Sequence, residues 1–172
     1  MELRIRRATA DDAQGMVDIL NPIIEARIYS ALVSTYTVEA QRAWIEAFPA
    51  RGILLVAERV SDGRMLGHQS LEPFGPYSWA FDHVGVMGTY VDLHHLRQGV
   101  GSRLFAAMYE EAVAAGYEKI FTFVRADNQV GLGAYLAQGF TVAGHAKGQA
   151  KIDGRYVDEV MIEKWLVPAK SG

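Results

Sequence analysis

A mixed α/β (α+β) sheet flanked by helices is the fold class this sequence predicts, and three observations predict it. Apolar runs of strand length alternate with segments whose apolar residues recur at helical spacing. A strand, a turn and a helix in the middle of the chain form a strand–helix–strand unit, and hairpin signals lie on either side of it. The chain has 172 residues, 50% hydrophobic and 22% charged, enough apolar material for a full core and a length that suits one domain over residues 1–172.

Leu3 and Ile5 open a strand that leads through Arg6-Arg7-Ala8 to Thr9, an N-cap answered by Asp12 in a capping-box arrangement. Ala13, Met16, Val17 and Leu20 share one helical face, and Pro22 either kinks that helix or divides it from a second piece, Ile23 to Ile28. Tyr29 to Tyr36 reads as a loop. Thr37 caps a further helix whose apolar face is Ala40, Trp44, Ile45 and Phe48, closed by Pro49. Ile53 to Ala57 and Met65 to Leu71 are strands joined by the turn Ser61-Asp62-Gly63. An aromatic connection, Pro73 to Phe81, leads to a third strand, Val84 to Val91, in which Gly85 and Gly88 mark a bulge or a close backbone approach. The helix from Gly99 to Ala115 carries its stripe on Val100, Leu104, Met108, Ala112 and Ala115 and ends at Gly116. Lys119 to Val124 is a strand and Val130 to Ala137 a helix ended by Gly139. Thr141 to Ala146 and Tyr156 to Leu166 are strands on either side of an Asp153-Gly154 turn.

Composition removes several function classes. The chain has no cysteine, which excludes a disulfide framework, a thiolate metal site and a cysteine nucleophile. A net charge of −3, with 17 Lys+Arg dispersed along the chain, supplies no field for a phosphate polymer, so no nucleic-acid partner is expected. No apolar stretch approaches the ~20 residues needed to cross a bilayer, and Met1-Glu2-Leu3-Arg4 lacks the order of a signal peptide. A cytoplasmic protein without a membrane partner is the expectation.

The chemistry concentrates between Thr89 and Leu104. A strand and a polar turn there lead into a helix that starts on Gly99-Val100-Gly101. A helix start offers unpaired N–H groups and the positive end of the dipole, and glycine admits a phosphate to them. A P-loop would need Gly-Lys-Ser/Thr, but Ser102 and Arg103 follow Gly101; a dinucleotide fold would need a third glycine, but Leu104 stands there.

Arg97-Gln98-Gly99-Val100-Gly101 resembles the Gln/Arg-x-x-Gly-x-Gly/Ala segment with which the GNAT superfamily of N-acetyltransferases holds the pyrophosphate of acetyl-CoA. Downstream, the stretch from Asn128 to Phe140, with Tyr135 and Gly139 at the expected spacing, is similar to the family's Asn-x-x-(small)-x-x-x-Tyr-x-x-x-Gly-Phe helix. The resemblance runs from Arg6-Arg7-Ala8-Thr9 to Gly154-Arg155-Tyr156-Val157-Asp158, in the manner of the phosphinothricin-acetyltransferase-like branch. It implies a mostly antiparallel central sheet flanked by helices, with a splayed strand pair for acetyl-CoA. It also implies direct acetyl transfer to the primary amine of a small molecule, an amino acid or related amine, with acetyl-CoA as donor, no metal, and a homodimer. Two positions depart from the pattern. Leu96 stands where the family has Gln or Arg, with Arg97 beside it, and no carboxylate follows Asp82 in the stretch His83 to Gly88 where some relatives carry a glutamate base.

Roles follow from the resemblance. The backbone of Thr89, Tyr90 and Val91 would pair with the pantetheine arm; Arg97, Gln98, Gly99, Val100, Gly101 and Ser102 would cradle the phosphates; Asn128 would bond to the cofactor or cap the helix. Tyr135 would protonate the departing thiolate, because a phenol is acidic enough to donate and stays protonated at neutral pH. His83, Asp82 and Glu72 compete for the base, with backbone and water as the remaining alternative. Tyr29, Tyr36, Glu72 and Trp79 are the candidates to line the acceptor pocket, with Tyr77 and Phe81 nearby. The adjacent His94 and His95 read as a solvated turn, not a metal site. Two other readings stay open: acetylation of a protein N-terminus or lysine, and a non-catalytic acyl-CoA-binding module that would have no need of Tyr135.

Overall fold

The computed structural model describes residues 1–168. Its strands are β1 (Leu3–Arg7), β2 (Ile53–Arg59), β3 (Met65–Pro73), β4 (Val84–Val91), β5 (Lys119–Arg125), β6 (Thr141–Ile152) and β7 (Arg155–Trp165). The helices are α1 (Ala13–Glu25), α2 (Val38–Glu46), α3 (Val100–Ala114) and α4 (Gln129–Ala137). The strands form one sheet in the order β1-β2-β3-β4-β5-β7-β6, antiparallel throughout except between β4 and β5. That exception is the strand–helix–strand unit, since α3 carries the chain from β4 to β5.

The N-terminal strand is pinned to its helix electrostatically. Arg6 makes a bidentate pair with Asp12 (2.8 and 2.8 Å) and a further contact with Glu58 at 3.0 Å, while Thr9 N–H donates to Asp12 at 2.8 Å. The Thr9–Asp12 capping box thus stands, in front of a single turn of 3₁₀ helix. Successive residues of β3 and β4 serve opposite faces of the sheet. Gly67 lies against α3, where a Cβ would sit 3.0 Å from Val100 Cγ1. His68, Ser70 and Glu72 face a cavity walled by Leu20 of α1 and Trp44 of α2. Val100, Leu104, Phe105, Met108 and Ala112 seat α3 on one face, and α1 and α2 cover part of the other.

The structure corrects several expectations. Pro22 lies inside α1, which continues to Glu25 as one helix; burial of Ile23 and Ile24 (4% and 1% exposed) outweighs the hydrogen bond that proline forgoes. In α2 the only buried residue is Gln41, whereas Ala40 and Trp44 are exposed and Ile45 and Phe48 half-buried. Trp44 instead packs edge-on against Phe48, with ring centroids 4.9 Å apart. β6 is longer than the apolar run Thr141 to Ala146, because its pairing with β7 resumes beyond an irregularity at Ala146/Ala150. The β3–β4 register is unbroken from Gly85 to Val91, so neither glycine marks a bulge there. They mark close approaches: a Cβ at Gly85 would lie 2.6 Å from Leu71 Cδ1, and one at Gly88 would lie 3.3 Å from the Tyr90 ring.

Candidate active site

The site begins where β4 and β5 part. They pair only over Val84–Val86 and Lys119–Phe121, after which β4 runs on to Val91 and β5 to Arg125 without a ladder between them. Thr122 Oγ1 reaches across to donate to the Met87 carbonyl at 2.6 Å. Beyond that bond a crevice of about 300 Å³ opens between the strands, walled by Met87 to Tyr90 on one side and Thr122 to Arg125 on the other. Backbone polar groups freed by the separation border this crevice, the arrangement that β-augmentation requires.

Tyr135 is delivered to this crevice by α4. Asn128 caps that helix by accepting from Gly131 N–H at 2.9 Å, and Gly139 at φ +83° ends it. The Tyr135 ring sits edge-on to Phe105 and Phe140, at centroid distances of 5.3 and 5.0 Å, and its hydroxyl donates to Thr89 Oγ1 at 3.0 Å. Gln69 Nε2 donates to the same oxygen at 2.9 Å. Burial pushes the phenol above its ordinary range, against the smaller opposing effect of the bond to Thr89. The hydroxyl therefore stays protonated at neutral pH.

The phosphate cradle lies at the other end of the same groove. Arg97 at φ +59° and Gly99 at φ +85° both adopt the left-handed conformation, which turns the chain sharply into α3. Gly99 is the N-cap and contributes no side chain to the helix end, so the N–H groups of the first turn, before Arg103 N–H bonds to Gly99 O at 3.1 Å, have no intrahelical acceptor. They border a cavity of about 410 Å³ lined by Arg97, Gly99, Gly101 and Ser102 on one side and Gln129, Val130 and Ala134 on the other. A Cβ at Gly99 would meet nothing within 4 Å and one at Gly101 only Val91 Cγ2 at 3.9 Å, so packing does not demand these glycines. A smaller cavity lined by Val91, Gly101, Tyr135 and others joins the cradle to the crevice. A phosphate-headed ligand with an extended arm fits this run: the helix start offers donors and the groove offers free strand edges.

On the α1–α2 face, Tyr90 and Leu32 separate the crevice from a further cavity of about 200 Å³. Tyr36 and Glu72 meet there. Tyr36 is fixed by two bonds to Asn21, which accepts from its N–H at 2.9 Å and donates to its carbonyl at 3.0 Å. Burial raises the Glu72 carboxyl above its usual range. Tyr29 lines the crevice, and its carbonyl accepts from Asn128 Nδ2 at 3.0 Å. Both polar ends of Asn128 are thus used within the chain.

Several expected residues are not brought to this site. His83 precedes β4 at the end where that strand is still paired with β5, and its ring stacks on Trp165 in a separate cavity. Five residues of strand separate it from Thr89, roughly 20 Å of chain. Asp82 is exposed beside Arg51, 3.7 Å away, at the same remote end. Trp79 is 84% exposed on the connection before β4 and borders none of the cavities described. Gln98 is exposed and donates to the His94 carbonyl at 3.3 Å, and the Val100 side chain is buried, which leaves only its backbone to the cradle. The site also contains residues that sequence reasoning passed over: His68, Gln69, Ser70 and Gln41. The period-two run His68-x-Ser70-x-Glu72 was the available signal, because three polar residues on one face of a strand need a polar or ligand-lined surface.

The model of the acetyltransferase (GNAT) family matches residues 22–140. The chain belongs to this family. The GNAT acetyltransferase is similar over nearly all of its length to curated relatives. An L-methionine sulfoximine/L-methionine sulfone acetyltransferase of Pseudomonas paraeruginosa is 23% identical over 99% of both chains. An L-amino acid N-acyltransferase of Escherichia coli is 27% identical over 95% of this chain and 94% of that one. Among solved structures, a phosphinothricin acetyltransferase of Sinorhizobium meliloti in complex with acetyl-CoA gives a TM-score of 0.88 over 99% of this chain and 93% of the other. At 16% identity it shares the fold.

Proposed function

We propose that this acetyltransferase uses acetyl-CoA to acetylate the primary amine of a small molecule by direct transfer. The observation that carries the proposal is a run of adjoining cavities: the phosphate cradle, the parted strands with the Tyr135 hydroxyl beside them, and, across Tyr90 and Leu32, the acceptor-side cavity. Acetyl-CoA, when bound, supplies a thioester whose acetyl carbon accepts the amine. The first-turn N–H groups of α3 hold its phosphates, and the free edges of Thr89 to Val91 hold its amide-bearing arm.

The chain then has to move two protons. The attacking amine must shed one, and Glu72 is the carboxylate that lines the acceptor-side cavity; burial raises its pKa, which makes it a stronger base than an ordinary glutamate. It stands on β3 directly opposite Val86 in the register, so β3 supplies the carboxylate that β4 lacks. The departing sulfur must gain a proton, and Tyr135 Oη gives it as negative charge accumulates there. Gln69 and Thr89 hold that oxygen in place. With no cysteine in the chain, direct transfer is the route that needs no acyl-enzyme thiol.

The cavity of about 200 Å³ lies below the ~300–1,000 Å³ typical of drug-sized ligands, which supports a small acceptor. A single domain spanning residues 1–172 and acting as a homodimer completes the proposal. Incubation with acetyl-CoA and a panel of small amines, followed by thiol release and product mass, tests it. Acetyl-CoA-dependent acetylation of at least one small amine is expected, and thiol release with none would refute it.

A further inference from the structure

The acceptor-side cavity carries more information than its size. Its one carboxylate is Glu72 and its one imidazole His68, and among the described residues no lysine or arginine lines it. One guanidinium, Arg125, borders the adjoining crevice, and four of its five N–H donors are committed within the chain. It is paired with Asp127 at 2.9 and 2.7 Å and donates to the carbonyls of Arg27 and Ser30 at 2.6 and 3.1 Å. A carboxylate entering this cavity would find no cation to pair with, and it would face the like charge of Glu72.

His68 points to what the cavity accepts. It is 3% exposed, its ring lies 5.0 Å from that of Tyr90, and neither ring nitrogen has a hydrogen-bond partner in the protein. Buried polar atoms are nearly always satisfied, so a side chain with both nitrogens unpaired on a cavity wall marks the position of a ligand group. Burial pushes the imidazole down to about 3, which keeps it neutral. A neutral imidazole has one N–H and one acceptor nitrogen, and a hydroxyl can pair with either of them. His68 and Glu72 lie four residues apart on the same face of β3, roughly 13 Å along the strand. Between and around them the aromatic rings of Tyr36, Trp44 and Tyr90 supply apolar wall.

Building on the acceptor reading given above, we propose that this cavity takes an elongated primary amine that carries no carboxylate, with its amine end at Glu72 and a hydroxyl at the far end held by His68. His68 is then a specificity-determining residue. The acceptors this predicts are hydroxylated aryl- or alkylamines, distinct from the amino acids that the relatives' names describe.

Tyramine, L-tyrosine and phenethylamine separate the two features, since tyrosine adds only the carboxylate to tyramine and phenethylamine lacks only its hydroxyl. Each is titrated by calorimetry into the protein saturated with CoA, and each is assayed for acetyl transfer. Tyramine should bind at least about tenfold more tightly than tyrosine, given the unpaired like charge. His68→Phe should erase the advantage of tyramine over phenethylamine, and His68→Gln, which keeps a donor and an acceptor, should restore part of it. Unchanged acetyl-CoA affinity confirms that each variant is folded. Tyrosine binding as tightly as tyramine, a tyramine advantage that survives in His68→Phe, or no binding of any of the three overturns the proposal. Selective tyramine binding without acetyl transfer upholds the cavity assignment and refutes the catalytic reading. Transfer that favours tyrosine upholds the catalytic reading and overturns this one.

Discussion

Tyr135→Phe removes one oxygen and little else. The ring keeps its edge-on contacts with Phe105 and Phe140, and Thr89 Oγ1 keeps its bond from Gln69. Loss of the single Tyr135–Thr89 hydrogen bond should cost about 0.5–1.5 kcal/mol. For a chain of this length that is a fall in Tm of roughly 1–6 °C. The cradle lies at the far end of the groove, so the Kd for acetyl-CoA should change by less than about twofold. Turnover should fall by about 10²- to 10⁴-fold, the range for a positioned general acid, equivalent to roughly 3–5 kcal/mol of barrier. Thiol release under saturating acetyl-CoA and amine measures kcat, calorimetry measures Kd, and thermal unfolding measures the stability cost. Turnover within about threefold of the parent, with the fold intact, would remove the proton-donor role assigned on general acid–base grounds.

Glu72→Gln should lower kcat/KM by about 10²-fold or more and abolish the acid limb of its pH profile. In the parent that limb should lie above the ordinary glutamate range of about 4.3, because burial raises the carboxyl and activity grows as rising pH ionises it. His83→Ala should leave the profile unchanged; a lost limb in that variant would return the base to the remote end of β4. Gly101→Ala should leave the fold neutral or up to about 1 kcal/mol more stable, since its Cβ would meet only Val91 Cγ2 at 3.9 Å. The same methyl projects toward the cradle, so acetyl-CoA affinity should fall in calorimetry while Tm holds. Asp12→Asn should destabilise the chain by about 1–3 kcal/mol at neutral pH, discounted for the partly exposed Arg6. Burial alone would raise the Asp12 carboxyl, but its bonds from Arg6 and the Thr9 N–H hold it below its usual range. Its stabilisation is therefore complete above the unfolded value and lost as pH falls through the lower folded one, so the Tm values of parent and variant should converge in acid.

Local signals in the sequence located the parts of this molecule that are built locally. The Thr9–Asp12 capping box, the Thr37 cap, the Asp153-Gly154 turn and the glycine entry to α3 all stand in the structure, because each depends on residues within one turn of chain. The mixed sheet followed from the order of these elements. Chemistry that depends on which strand lies beside which was less legible. His83 entered the base assignment because it adjoins the right strand, yet the useful part of β4 starts only where its pairing with β5 stops, and no spacing in the sequence records that point. Glu72 stands opposite Val86, a juxtaposition created by the β3–β4 register between residues 14 apart. Trp44 and Ala40 matched an apolar helical face, but α2 turns Gln41 to the buried position, where it lines the cavity with His68, Ser70 and Glu72. Trp79 carried the hydrophobicity of a pocket residue without a neighbouring element to bury it.

The central claim is that the parted strands and the start of α3 form one groove for acetyl-CoA. Calorimetric titration of the purified protein with acetyl-CoA, with NADH and ATP as controls, tests it most directly. Saturable binding of acetyl-CoA with a micromolar Kd, tighter by about tenfold or more than either control, is the predicted result, because only acetyl-CoA carries both the phosphates and the amide-bearing arm. No binding, or equal binding of all three, would contradict the groove and with it the roles given to Tyr135 and Glu72.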